Sequence, residues 1–257
     1  MRSTMLFAVA ALLITAANAR GVDPAGSELW EDLSGAYLGE DAKVTFNDSI
    51  RLMMADRVES AHEVPIMVKV PHDLRDMQEL VLLVDRNPIQ QVARITPHRR
   101  IESVGMNIRL EESTPVRAAI LDPSGIWHVA TKSVLVMSAG GCSSPPPDGA
   151  VVAAVGDVNI KQFERHGGAS RLKVRIHHPM DTGFVVLEDG DVVPPYYVDK
   201  VRIEDERGMI ADMLTWAAMS RDPVITIDLP TEGQSVRVSG SDSEGLSFEG
   251  LENTPLM

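Results

Sequence analysis

The sequence predicts an all-β protein of two antiparallel β-sandwiches, with one short helix before the first sandwich and a Gly/Ser/Pro-rich linker between them. Three observations lead to this prediction. Short runs rich in β-branched residues alternate apolar and polar positions through both halves of the chain. Turn sequences such as Asp122-Pro123-Ser124-Gly125 separate these runs. A low-complexity segment, residues 138–149, divides the runs into two sets.

The first 19 residues have the pattern of a secretory signal peptide. One positive charge and a short apolar run precede Ala17-Asn18-Ala19, an A-x-A cleavage pattern, so we expect cleavage near Ala19–Arg20. The protein is then exported, which in a bacterium means the periplasm. The apolar run is shorter than the roughly 20 residues a membrane-spanning helix needs, and no later segment reaches that length, so we expect no membrane span.

The composition limits the kinds of partner. The 257 residues include 37 acidic and 24 basic side chains, for a formal net charge of -13. Such a chain repels phosphate backbones, so nucleic acid is excluded as a partner class. The length suits two domains of ordinary size, and 44% hydrophobic residues suffice for a core in each.

The elements follow in a definite order. A helix is predicted over residues 24–38, capped by Asp23 or Ser27, with its apolar face formed by Leu29, Trp30, Leu33 and Tyr37. Strands are predicted at residues 64–70, 79–84, 91–97, 107–113, 116–121 and 127–137, and again at 170–179, 196–205, 208–216, 223–230 and 235–242. The predicted domains are a signal peptide (1–19), a first sandwich with its helix (20–137), a linker (138–156), a second sandwich (157–250) and a frayed tail (251–257).

No motif for catalysis or for metal binding stands out. The seven histidines include no pair with zinc-type spacing to a cysteine, and His177 and His178, adjacent in a predicted strand, point to opposite faces. The chain has no P-loop, nucleophile elbow or dinucleotide-binding glycine motif. We therefore predict no metal site and no cofactor.

The lone cysteine, Cys142, is the exception. It cannot form an internal disulfide, so it is an intermolecular bridge, a free reactive thiol or an inert buried residue. Its neighbours Gly140 and Gly141 bury poorly and supply no activating base, so we expect an exposed, flexible arm. Five extended residues reach roughly 15 Å. Such an arm suits a thiol that carries a covalently attached group to partner enzymes, which supply the activation.

Four segments resemble known proteins. "NIRLEESTPVRAAILDPSGIWHVATKSVLVMSAGGCSS" (107–144) and "LLVDRNPIQQVARITP" (82–97) resemble SoxY, the sulfur-carrying subunit of bacterial thiosulfate oxidation. "KVRIHHPMDTGF" (173–184) and "MSRDPVITIDLP" (219–230) resemble SoxZ, the partner subunit. The chain therefore resembles a SoxYZ fusion, and is similar to the SoxYZ-like carriers found beside quinoprotein (PQQ-dependent) dehydrogenases.

This resemblance implies an immunoglobulin-like sandwich in each half, packed together in the periplasm. It implies that Cys142 is the covalent attachment point of a sulfur intermediate and that Gly140 and Gly141 give the arm its flexibility. The carrier itself is not an enzyme. Its partners are periplasmic oxidoreductases or hydrolases that act on the carried group, with a PQQ-dependent dehydrogenase as a candidate.

The chain departs from the family at the arm. The family arm ends the polypeptide as Gly-Gly-Cys-Gly-Gly, whereas here Ser143 and Ser144 lead into Pro145-Pro146-Pro147. A loop tip must therefore enter a partner's cleft, which needs a wider opening than a free end does. The sequence leaves two possibilities for the cargo, the group carried on Cys142: a sulfur species or another thiol-reactive group such as an aldehyde. An alternative function is a non-covalent adaptor for a quinoprotein dehydrogenase, with Cys142 incidental or forming a dimer disulfide.

Overall fold

The computed structural model describes residues 21–145, 154–231 and 235–253. The predicted signal peptide, the prolines Pro146 and Pro147, and the last four residues lie outside the described residues. Predictions about these segments therefore stay predictions.

The described chain contains one α-helix, two short 3-10 helices and sixteen strands. Helix α1 spans Trp30–Leu38, and the 3-10 helices span His72–Leu74 and His166–Gly168. The first half contains β1 (Lys43–Phe46), β2 (Arg51–Met53), β3 (Arg57–Val58), β4 (Val64–Lys69), β5 (Glu79–Val84), β6 (Gln91–Pro97), β7 (Ser103–Ile108), β8 (Thr114–Leu121) and β9 (Ile126–Val136). The second half contains β10 (Val158–Glu164), β11 (Ser170–Ile176), β12 (Val198–Asp205), β13 (Gly208–Thr215), β14 (Val224–Leu229), β15 (Ser235–Asp242) and β16 (Ser247–Asn253).

The strands form two sheets. A ten-stranded sheet has the order β1-β9-β8-β5-β6-β13-β12-β15-β16, with β3 also paired to β9, and a six-stranded sheet has the order β10-β11-β14-β7-β4-β2. The mostly antiparallel architecture is consistent with two immunoglobulin-like sandwiches, so the predicted fold class is confirmed.

Both sheets continue across the junction between the halves. Strand β6 of the first half pairs with β13 of the second, and β7 pairs with β14, both antiparallel. The largest cluster of buried apolar residues draws on both halves, from Ile50 to Phe248. The two sandwiches are therefore joined edge to edge by backbone hydrogen bonds as well as by the polypeptide between them.

Helix α1 covers the outer face of the ten-stranded sheet. In β5, Leu80 and Leu82 point into the main core, while Val81 and Leu83 point outward and pack in a second cluster with Trp30 of the helix. This explains why β5 is buried on both faces and reads as a continuous apolar run.

A buried ion pair fastens the segment that precedes the helix. The Arg117 side chain, 0% exposed, lies 2.7 Å from a carboxylate oxygen of Asp85 and 2.7 Å from one of Asp23, and its guanidinium stacks 4.2 Å from the Trp30 ring. Removing either carboxylate would leave a buried cation less compensated.

Several predicted boundaries were wrong, and strands β1, β2, β3, β10 and β16 were not predicted. The helix begins at Trp30 rather than at residue 24, because the Asp23 carboxylate accepts the N–H groups of Ala25 and Ser27 and holds a turn there. Strand β7 ends at Ile108, so residues 109–113 are not a strand. Strand β16 extends to Asn253, paired with β15, and so includes the first three residues of the predicted tail, whose remaining residues lie outside the described part of the chain.

Candidate functional site

Cys142 is completely buried, which overturns the expectation of an exposed thiol. Its neighbours Ser138, Ala139 and Ser143 are exposed, whereas Gly141 is buried and Cys142 is 0% exposed. We call residues 138–145 the cysteine segment. This segment is docked on the body of the protein, so its composition of small and polar residues did not determine its exposure.

Leu110 and Ala61 of the first half form hydrogen bonds with the cysteine segment. The Gly141 N–H donates to the carbonyl oxygen of Leu110 at 2.8 Å, and the Leu110 N–H donates to the carbonyl oxygen of Ala61 at 2.9 Å. The Ala61 N–H in turn donates to Ser138 Oγ at 3.0 Å. These bonds extend the pairing of the nearby strands into the loops at the end of the sandwich.

The two glycines permit this close approach. A Cβ atom on Gly141 would lie 2.1 Å from the Ala61 carbonyl oxygen, and one on Gly140 would lie 2.3 Å from the Glu111 carboxylate. Both separations are far inside van der Waals contact. Glycine is thus required for docking at position 141, where the clash is with backbone, whereas at position 140 a side chain would have to displace the Glu111 carboxylate. The flexibility predicted for Gly140 and Gly141 stays a prediction.

The Glu111 carboxylate caps the backbone of the cysteine. One carboxylate oxygen accepts the N–H of Cys142 at 3.1 Å and that of Ser143 at 3.1 Å, and the other accepts the Ser143 hydroxyl. Asn87 fixes Glu111 from behind, since its side-chain oxygen accepts the Glu111 N–H at 2.8 Å and its amide donates to the Arg109 carbonyl at 2.8 Å. Residues 109–111 do not continue strand β7, because the Asn87 side chain bonds the backbone groups of Arg109 and Glu111.

The second half supplies the remaining contact. Thr182 Oγ1 donates a 2.6 Å hydrogen bond to the Cys142 carbonyl oxygen. Thr182 follows a turn in which Met180 has a φ of 55° and donates its N–H to His178 Nδ1 at 3.2 Å. Cys142 therefore lies between the two halves, held by one carboxylate from the first and one hydroxyl from the second.

A buried arginine lies beside the thiol. Arg109 is 4% exposed, and its Nη2 donates to the Pro179 carbonyl at 3.3 Å. Among the described residues, its Nε has no hydrogen-bond partner and no carboxylate lies within 4 Å of its guanidinium. Burial lowers the pKa of Arg109, and the nearby Cys142 and Asp181 oppose this. A buried cation without an ion-pair partner is costly, so a negative charge placed beside Arg109 would be stabilising.

The electrostatics suppress the reactivity of the docked thiol. The pKa of Cys142 is raised from 9.0 to about 12: burial is the largest cause, the Glu111 carboxylate adds to it, and Arg109 acts in the opposite direction. Because the thiolate is the nucleophile, the docked cysteine, which stays protonated, reacts slowly at neutral pH. Burial also lowers the pKa of His62, Arg109 adds to this effect, and Gly141 and Glu111 oppose it, so the neutral imidazole is favoured there.

The histidines do not assemble into a site. His177 lies 3.5 Å from Asp222, whereas His178 is buried 3.5 Å from Asp242 and stacks near Tyr196. Within the part of the chain that the structure describes, no three His, Cys, Asp or Glu side chains come together as a metal site requires. None of the described helices is long and apolar enough to cross a membrane.

The sequence analysis missed the residues around the cysteine. Asn87 and Thr182 lie inside the segments that carry the family resemblance, at residues 82–97 and 173–184, and could have been found there. Arg109 and Glu111 also lie in such a segment, residues 107–144, but their run was interpreted as a strand and no local pattern marks them as neighbours of Cys142.

The fold and this site define a double β-sandwich protein whose single thiol is held between two fused halves. The family described as "Sulfur oxidation protein SoxY" matches residues 34–142, which end at the cysteine, and "Sulphur oxidation protein SoxZ" matches residues 158–252. The chain belongs to these two families and is a fusion of a SoxY domain with a SoxZ domain. SoxY and SoxZ are carrier or adaptor proteins rather than enzymes, in agreement with the non-enzymatic prediction.

Solved structures give only distant similarities. The sulfur carrier protein SoxY from Chlorobium limicola f thiosulfatophilum is 15% identical, with a TM-score of 0.38, covering 43% of this chain and 97% of its own. A superoxide reductase (neelaredoxin) from Ignicoccus hospitalis is 14% identical, with a TM-score of 0.31, covering 34% of this chain and 80% of its own. Neither similarity carries a functional argument. Comparison with curated proteins finds no match.

Proposed function

We propose that this protein is a sulfur carrier that holds an intermediate covalently on Cys142 and presents it to partner enzymes. The SoxY and SoxZ domains support the sulfur-carrier role. One observation carries the assignment to Cys142: the only thiol of the chain lies between the two domains, beside a buried cation that has no ion-pair partner among the described residues.

The charge of Arg109 favours an anionic cargo. A sulfur oxyanion joined to Cys142 through an S–S bond brings a negative charge to the buried guanidinium and replaces the missing counter-charge. A neutral adduct, such as one formed with an aldehyde, leaves Arg109 uncompensated. Of the two cargo classes that the sequence left open, the sulfur species is the better fit.

The carrier works through two positions of the cysteine segment. In the docked position Cys142 is buried and its thiol stays protonated, which protects it from unspecific oxidation. Loading requires the segment to leave that position. Joining the thiol to the terminal sulfur of a thiosulfate-like anion releases one proton and two electrons, so a partner oxidoreductase must accept the electrons.

The cellular setting belongs to the same proposal. Residues 1–19 direct export, and the partners are oxidoreductases or hydrolases of the same compartment. A PQQ-dependent dehydrogenase stays a candidate among these partners on the resemblance alone.

Intact mass spectrometry of the protein from its native source tests the proposal. We expect a mass increase that dithiothreitol removes, and a Cys142→Ala variant that folds normally but never acquires it. The mass of the adduct identifies the cargo. A wild-type protein that carries only a free thiol during active metabolism, with a Cys142→Ala variant that supports the pathway fully, would contradict the carrier role and favour a non-covalent adaptor.

A further inference from the structure

The outer face of the six-stranded sheet is strongly basic. Besides Arg171, which is paired with Asp228, the strand registers place five cations on this side of the sheet: Arg51, Lys69, Lys161, Lys173 and Arg175. We call this surface the basic face. The alternate positions of the same strands, such as Leu172 and Val174, are buried in the core. The basic face is unexpected in a chain with a net charge of -13.

The five cations of the basic face have no ion-pair partner in the described part of the chain. Among the described residues, none of the five has a carboxylate within 4 Å. The acid at the centre of the face, Asp228, is already bonded to Arg171 at 2.6 Å and to the Ser103 hydroxyl at 2.6 Å. The positive charge is therefore available to an external partner.

The arrangement of these cations works against stability. Lys161 lies directly opposite Lys173 on the neighbouring strand, and Arg51 lies directly opposite Lys69. Like charges at such cross-strand positions repel, whereas one acidic residue in each pair would attract. In a chain that is otherwise rich in Asp and Glu, four basic residues occupy positions where acidic residues would stabilise the sheet. A role in recognition explains these basic residues better than a role in folding.

Exposed apolar groups accompany the charges. Phe163, at 46% exposure, shares a groove with Lys161, Lys173 and Arg175, and Met53 is 47% exposed at the far side of the face. Six strands spaced by about 4.8 Å give a width of about 24 Å. A surface of this size fits a small, transient protein interface with an aromatic anchor and a charged rim.

We propose that the basic face is the docking surface for an acidic partner protein, which deepens the proposed carrier function and rests on it. The face ends beside the cysteine site. Asn107 lies at its edge, two residues before Arg109, and bonds Glu63, which is adjacent to His62. A partner seated on the basic face therefore has its margin next to Cys142.

Site-specific photocrosslinking in the native source identifies the partner. A benzoylphenylalanine at Thr226, in the middle of the basic face, is compared with one at Ser239 on the ten-stranded sheet, another partly exposed strand position. The crosslinked protein is identified by mass spectrometry, purified and titrated against the full chain at low and high salt. Intact mass of the same samples reports whether Cys142 carries an adduct, so a failure of docking is distinguished from a failure of the carrier function.

Charge reversal then tests the face directly. We expect Lys161→Glu/Lys173→Glu to weaken binding of the purified partner about tenfold or more, and added salt to weaken wild-type binding. The control, Lys43→Glu/Lys200→Glu, changes the net charge equally at lysines of the ten-stranded sheet and should bind normally. The single variant Lys161→Glu should raise the melting temperature by about 1–4 °C while weakening the partner, because it converts a repulsive pair into an attractive one.

Three results would overturn the inference. The first is crosslinking at Thr226 no stronger than at Ser239. The second is partner binding that the double reversal and salt leave unchanged. The third is binding of phosphatidylglycerol vesicles, lost in Lys161→Glu/Lys173→Glu, with no protein crosslinked, which would assign the face to an anionic membrane surface instead.

Discussion

Thr182, in the SoxZ domain, donates a 2.6 Å hydrogen bond to the carbonyl oxygen of Cys142, the last residue of the SoxY match. This bond connects the two fused domains through the backbone of the carrier cysteine itself. Both groups are buried, so the carbonyl has no water to replace the hydroxyl if it is lost.

Replacing Thr182 with Val should loosen the docked segment. The isosteric change leaves a buried carbonyl unsatisfied, which costs the docked state about 1–2 kcal/mol and raises the undocked population about 5–30-fold. Alkylation of Cys142 by iodoacetamide should accelerate by the same factor. The variant Thr182→Ser retains the hydroxyl and should react at the wild-type rate. Unchanged reactivity in Thr182→Val would mean that this bond does not control access.

Replacing Gly141 with Ala should exclude the docked position. Its Cβ would lie 2.1 Å from the Ala61 carbonyl oxygen, where no rotamer can relieve the clash. We expect a thiol that reacts as fast as one in an unfolded peptide, in a protein whose sandwiches still melt cooperatively. The exposed neighbour provides the control, Ala139→Ser, which should leave the rate unchanged. Slow alkylation of Gly141→Ala would show that the segment docks in another way.

Docking of the cysteine segment should weaken as the pH rises above 9. The docked thiol has its pKa raised from 9.0 to about 12, so the advantage of docking is complete below pH 9 and is lost as the pH rises toward 12. Alkylation of wild-type protein should therefore keep increasing about tenfold per pH unit beyond pH 9, measurable to about pH 10.5. In Glu111→Gln, which removes the charge that raises this pKa and keeps an amide oxygen as an acceptor, the profile should level off at a lower pH. Profiles that coincide would contradict the role of Glu111.

Replacing Arg109 with Gln should affect the empty and the loaded protein differently. In the empty protein it removes a buried cation that has no ion-pair partner in the described part of the chain, so the melting temperature should stay equal or rise. Conversion of Cys142 to its S-sulfonate, with tetrathionate and sulfite, should lower the melting temperature more in Arg109→Gln than in wild type, because the anion then lacks its partner. Equal shifts in calorimetry would show that Arg109 does not serve the cargo.

Cutting the polypeptide between the domains should not separate them. The pairs β6–β13 and β7–β14 and the shared core hold the halves together independently of residues 146–153. After cleavage at a protease site inserted in that stretch, we expect two bands on a denaturing gel and one species of full mass by light scattering. Two separate species in native buffer would show that the sheet pairing is weaker than the tether.

The local sequence was sufficient for the secondary structure of most of the sandwich. Strands β5, β6 and β15 have the predicted bounds because their alternation or apolar runs are strong and their turns carry Pro, Asn or Gly. The errors at residues 24–29 and 109–113 have a common cause. In both places a side chain, from Asp23 or Asn87, captures backbone groups that would otherwise continue a helix or strand.

By itself the sequence determined the all-β class, the order of the SoxY and SoxZ segments, and the single thiol at their junction. Only the tertiary structure decided that Cys142 is buried. A stretch of glycine and serine has no apolar side chains to drive it inward, so its composition predicts exposure. Its burial depends instead on backbone hydrogen bonds to Glu111 and Thr182, which lie 31 and 40 residues away in sequence. Those partners meet only when the edges of the two sandwiches pair, which no local pattern encodes.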